Sequence, residues 1–307
     1  MNNKFNNIQE IENEYIRCYD ILNRSGILSL LTNSNSVGVI GIDGNEYPIP
    51  TKEQVIELFE NNDALVSEKI AQGFNQMELT PMAMSLPNLF DLLKSLIIRY
   101  SIEGNIYQTR CRAIDPFVPV RINSEKQVWI WDTLKQAIET EEIVYFPRNY
   151  SANHQGLIKL DVINNSRFCA VPGWSVGLVE SYAKMSEQGL GERLGGRRQL
   201  DIGNSPREYL QILESDVYNG ETGKTLEDFI IKFITRLEEK NEVSNDRYDN
   251  NSMWCLGQYI KIKYGECVPT GWWNRDFGRL RIDMHRTGNK VCTKSWGAST
   301  TVRLVGV

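Results

Sequence analysis

The spacing of apolar positions changes along this chain, and each change predicts an element. Ile8, Ile11, Tyr15, Cys18, Tyr19 and Leu22 fall on one side of a helical wheel, so an opening helix is expected. Residues 36–50 (SVGVIGIDGNEYPIP) alternate around the pair Asp43-Gly44 and predict a short hairpin. Thr51 and Gln54 have the spacing of a capping box, which opens a helix through about Phe59 or further. Pro87 stands at an early position of another helix, whose face is Leu89, Leu92, Leu93, Leu96 and Ile97. Packing within the core, or against a neighbouring subunit, accounts for these stripes.

Residues 115–119 (DPFVP) interrupt the helical pattern and set the expected domain boundary. Residues 1–115 then form a mostly helical attachment or oligomerisation region, and 116–307 a ligand-binding domain. Strand-like pieces follow at 118–122, 127–131, 143–146, 158–163 and 168–171, with a short helix at 132–140. Residues 172–180 (PGWSVGLVE) suit a buried strand or turn, and 186–203, rich in Gly and Arg, a long loop.

Two later helices are marked more sharply. Ser205, Pro206 and Glu208 supply an N-cap, a first-turn proline and a reciprocal acid, ahead of Tyr209, Leu210, Ile212, Leu213 and Val217. Thr225 and Asp228 cap the next, whose stripe is Leu226, Phe229, Ile230, Phe233, Ile234 and Leu237. Burying such a stripe contributes about 1.5–3 kcal/mol per large side chain before entropy is charged. Beyond residue 241 the period becomes two, and 253–262, 278–284 and 300–305 are expected strands.

At 307 residues, 41% hydrophobic and 24% charged, the composition is that of a soluble globular protein. The net charge of −5 argues against a nucleic-acid binder. From residue 241 onward ten basic residues face six acidic ones, so the tail carries +4 and the rest −9. The cysteines (Cys18, Cys111, Cys169, Cys255, Cys267 and Cys292) form no C-x-x-C pair and suit small buried hydrophobes. An oxidising environment would leave a bridge among Cys255, Cys267 and Cys292 open. The polar N-terminus lacks the apolar stretch of a secretory signal, and residues 92–100 are too short and charged to span a bilayer. Synthesis in the cytoplasm without membrane insertion is expected, with a place on a virion or cell surface left open.

Catalytic signatures are missing. His154 and His285 are the only histidines, and no G-x-S-x-G elbow, clustered Cys/His spacing or Walker motif accompanies them. Residues 246–251 (DRYDNN) carry oxygen donors without the pattern of a calcium loop, which leaves calcium open there. The expectation is a protein that is not an enzyme and uses no catalytic residue, metal or cofactor. Four of the seven tryptophans lie in residues 252–307, beside a run of arginines. Large aromatics and arginines concentrate binding energy. Alternation would turn Leu280, Ile282 and Met284 to the core and Arg279, Arg281, Asp283 and His285 outward. The candidate ligand-binding set is therefore Trp272, Trp273, Asn274, Arg275, Asp276, Arg279, Arg281, Asp283, His285 and Arg286. Core packing is the competing account of Trp272, Trp273 and Trp296.

Several motifs carry a resemblance: Ser205-Pro206-x-Glu208-Tyr209-Leu210, Gly220-Glu221-x-Gly223-x-Thr225, and Trp296-Gly297-Ala298-Ser299-x-x-Val302-Arg303-Leu304. Over about residues 170–307 the chain resembles variable proteins of diversity-generating retroelements, from the sulfatase-modifying-factor-like branch of C-type-lectin-like domains. That resemblance implies an α+β fold: a helical N-terminal region, then two helices and a mixed, largely antiparallel sheet closed behind by the terminal strand at 300–305. It also implies a ligand face on residues 272–286, phage or surface association, adhesion, and a protein or glycan ligand. A G-G-S-W-type motif and a catalytic cysteine pair are missing, so metal-dependent oxidation is not expected. The alternative is an assembly component whose C-terminal face joins subunits, which allows a homo-oligomer.

Overall fold

The computed structural model describes residues 5, 7–182, 185–246, 252–263, 265–288 and 295–306. The fold is α+β. Helix α1 (Ile8–Arg24) starts at Asn7, whose side chain accepts a bond from the Glu10 amide at 2.9 Å. A small sheet of β1 (Ser29–Leu30), β2 (Val37–Ile40) and β3 (Glu46–Pro48) contains the expected hairpin. Next come α2 (Lys52–Asn61), with both halves of its capping box formed, α3 (Asp63–Ala71), β4 (Phe74–Thr80) and α4 (Leu86–Ile102). The middle of the chain holds β5 (Val128–Ile130), α5 (Asp132–Glu139), β6 (Val144–Tyr145), α6 (Lys159–Ile163), β7 (Ser175–Glu180), β8 (Arg193–Leu194) and β9 (Arg197–Arg198). Then follow α7 (Pro206–Leu213), β10 (Glu221–Gly223) and α8 (Leu226–Lys240). The last strands are β11 (Ser252–Trp254), β12 (Gln258–Ile262), β13 (Gly265–Asn274), β14 (Arg279–Arg286), β15 (Trp296–Ala298) and β16 (Thr300–Arg303).

Two sheets carry the architecture, and α8 lies between them. One is antiparallel in the order β10-β16-β7-β4. The other runs β15-β11-β13-β12-β6, with β14 along the other edge of β13 and β5 parallel beside β14. Phe233 of α8 meets Trp273 at 6.3 Å between ring centres, and Phe229 packs so closely on Gly271 that a Cβ there would lie 2.4 Å from its ring. Asp228 turns the other way, taking bonds from Thr80 and from Arg303. Glu227 is buried and paired to Lys159 at 2.8 Å, with the Tyr145 hydroxyl donating to the same oxygen. A helix covered by a sheet on each side buries its polar first turn as well as its stripe, so each buried charge has acquired a partner.

Several expectations need correction. The division near residue 115 does not divide the core: β4 pairs with β7, α1 and α4 pack on α8, and one apolar cluster runs from Phe5 to Leu304. Residues 118–122 and 168–171 are loop and turn, and 158–163 contains α6 in place of a strand, with Lys159 held to Glu227. The Gly/Arg-rich loop contains the β8–β9 hairpin, turned through Gly195 and Gly196 at φ +54° and +82°. The terminal strand β16 lies inside the four-stranded sheet, between β10 and β7, across α8 from β13. Cys255 and Cys267 are free buried thiols, while Cys292 and residues 247–251 of the calcium candidate lie outside the described residues.

Candidate functional site

In antiparallel pairing, residues directly opposite share a face. The β13–β14 register therefore puts Trp272 with Arg281, Thr270 with Asp283, Asn274 with Arg279 and Val268 with His285 on the side away from α8. Trp273 pairs with Leu280 on the inner side, where it is wholly buried, and Leu280, Ile282 and Met284 are core as the alternation predicts.

The outer face divides in two. Towards β11 and β15 it is covered: Trp254, Trp272 and Trp296 pack with Tyr150, Tyr209 and Tyr259 into a second apolar cluster, against which Leu210, Ile212 and Leu213 of α7 rest. His285 stands edge-on to Trp296 at 4.4 Å, and Asp283 is buried beside it. Towards β5 the face is open. Trp129 lies level with Arg281, whose guanidinium is 4.5 Å from the Trp129 ring centre and 5.3 Å from that of Trp272. Asp283 accepts from Arg281 at 2.9 Å, which fixes the guanidinium between the two rings.

Arg279 differs from its neighbour. It lies 4.9 Å from the Phe277 ring and 5.7 Å from Trp129, and has no hydrogen-bond or ion-pair partner among the described residues. Burial, and then the Arg281 charge, press its pKa below the usual arginine range. Beside it Phe277 is 52% exposed, and further along the same edge, next to Trp129, Trp131 is 40% exposed.

The remaining candidates build the turn. Asn274 is buried and accepts from the Phe277 amide at 3.2 Å, and Gly278 takes φ +59° against Arg121, where a Cβ would lie 2.5 Å from the carbonyl oxygen. Arg275 is half-buried and paired to Asp246, while Asp276 and Arg286 are exposed at the turn and the strand end. The structure thus gathers Arg279, Arg281 and Asp283 with Trp272 beneath them, and sends Trp273 to the core. It adds Trp129 and Trp131, which sequence reasoning left out. Their signal was present in the outward positions of Trp129-Ile130-Trp131.

Among the described residues no group of three His, Cys, Asp or Glu side chains is placed to hold a metal, and no helix is long and apolar enough to cross a membrane. The fold and site define an α+β protein with an aromatic, arginine-bearing sheet face. Comparison with family models, curated proteins and solved structures finds no match to this chain.

Proposed function

We propose that this chain is a non-enzymatic binding and display protein that captures a carboxylate-bearing protein or glycan through the β5–β14 face. In this proposal residues 170–307 are a C-type-lectin-like domain of the kind carried by variable proteins of diversity-generating retroelements, on a phage particle or cell surface. The observation that carries it is Arg279: a cation beside a second cation, without a counter-ion among the described residues, framed by Trp129 and Phe277. Such a group is complementary to an anion, and the exposed rings around it supply contact area with little side-chain entropy to lose. Arg281 is already neutralised by Asp283, so its role is to hold the rings in place.

An oligoglutamate peptide and a polyuronate, each immobilised, test the protein and the glycan arm. Arg279→Ala should weaken capture of one of them by about tenfold or more, with the melting temperature kept. Equal capture by wild type and variant, or none of either probe, would sink the proposal. A second reading is an assembly interface, favoured by the outer edge of β5, which pairs with no strand among the described residues. Light scattering decides it: an oligomer lost on Trp131→Lys supports an interface, and a monomer supports a free ligand face.

A further inference from the structure

While Phe229 and Phe233 of α8 turn to β13, Ile231, Lys232, Thr235 and Arg236 line a partly open cavity of about 140 Å³ bounded by α1, β4 and β7. We propose that this cavity binds a small apolar monocarboxylate, a benzoate-sized acid, whose carboxylate pairs with the Lys232 ammonium.

Among the described residues the charges lining the cavity are matched except at Lys232 and at Lys240, which is exposed at the rim. Lys224 is held by Glu78 at 2.8 Å and Arg236 by Glu242 at 2.5 Å. Of the other acids in the wall, Glu180 is taken by Arg197 at 3.1 Å and Glu239 by Arg17 at 2.9 Å. Lys232 is part-exposed, has no ion pair or hydrogen bond among the described residues, and rests 4.7 Å from the Tyr182 ring centre. An ammonium drawn from water without a counter-charge is unfavourable, and a ligand carboxylate supplies the missing charge.

The rest of the wall decides what the carboxylate is attached to. Ile21, Leu22, Val179 and Ile231 are apolar and suit a hydrocarbon body. A dry apolar cavity of about 150 Å³ is large enough for benzene, so a single ring is the fitting size. A phosphate ion has no hydrocarbon body to fill these apolar walls.

The protonation state of Lys232 gives the binding a signature. Burial, and then Lys224, bring its pKa down to about 7, with Arg236 acting in the same direction and Glu78 and Glu180 against it. Cys18 faces the cavity from α1 with its thiol pushed up to about 12, so it stays protonated through this range. A bound carboxylate restores the ordinary lysine range, and near pH 8 the complex takes up a proton.

The test is calorimetric titration of the full chain with sodium benzoate near pH 8, once in Tris and once in HEPES. Saturable binding of one molecule per chain is expected, with a heat that differs between buffers by their ionisation enthalpies. Benzamide, the neutral analogue, and inorganic phosphate should each bind at least about tenfold more weakly. Lys232→Met should lose benzoate binding with its circular dichroism unchanged. Benzamide keeps the test open on the wild-type chain should that variant misfold. Equal binding of benzamide, heats independent of buffer, retention of benzoate by a folded Lys232→Met, or no saturable benzoate binding would overturn the proposal.

Discussion

Trp272 and Arg281 face each other across β13 and β14 with the guanidinium 5.3 Å from the ring centre, and Trp129 closes over the other side of the same cation at 4.5 Å. Arg281 therefore acts as a spacer between two indoles. Trp129→Ala should remove the outer ring and weaken ligand capture by about 2 kcal/mol, while an edge-strand position leaves the melting temperature nearly unchanged. Arg281→Lys keeps the charge but cannot lie flat between two rings, and should cost about 1 kcal/mol of capture. Equilibrium binding to the immobilised probes measures both.

A buried ion pair joins α8 to the four-stranded sheet. Arg303 donates to Asp228 at 2.5 Å, and to Ser175 and Thr222, with both charged groups buried. Burial alone would raise the Asp228 carboxyl; Arg303 and Lys224 outweigh it and leave its pKa lowered. Asp228→Asn strands the guanidinium, and chemical denaturation should record a loss of about 3–5 kcal/mol. A group depressed on folding stabilises above its unfolded pKa, so the contribution disappears as acid protonates the folded carboxyl. The variant should lack that part of the acid sensitivity.

Lys232 predicts a slope of the same sign on the alkaline side. Its folded pKa is about 7 against an ordinary 10.5, so between these values the unfolded chain holds a proton that the folded chain lacks. Stability then rises with pH across that window. Urea melts of wild type and Lys232→Met from about pH 7 to 10 should differ by this rise, with the variant curve flatter.

Gly271 marks a close approach of α8 to the sheet. Three atoms of the Phe229 ring lie within 2.8 Å of where a Cβ would stand. Gly271→Ala should destabilise by about 1–3 kcal/mol in thermal or urea unfolding, because neither the ring nor the strand can retreat in a packed interior. Gly271→Ala with Phe229→Leu should recover part of that loss.

The helix starts were the most legible features of the chain. Ser205 with Glu208 and Thr225 with Asp228 form their capping boxes as spaced, because each is complete within four residues. The alternation of β14 was equally readable, since one of its faces is core and the other is not. The strands β4 and β13 escaped notice because both faces of each are largely covered, and burial on both sides erases a period of two. Pro269 inside β13 concealed it further. A short apolar run such as 158–163 fits strand or helix equally, and only the Lys159–Glu227 pair decides between them.

The same distinction holds at the candidate site. Spacing alone was enough to set Arg279 and Arg281 on one side of a strand and Leu280 and Ile282 on the other, because pleating is a local property of the backbone. The packing of distant segments put Trp272 into the second apolar cluster, Trp273 against Phe233 and Trp129 beside Arg281. Which neighbour covers a strand, and which strand lies next to it, follows from contacts between residues far apart in the chain, and those form only when the whole core closes.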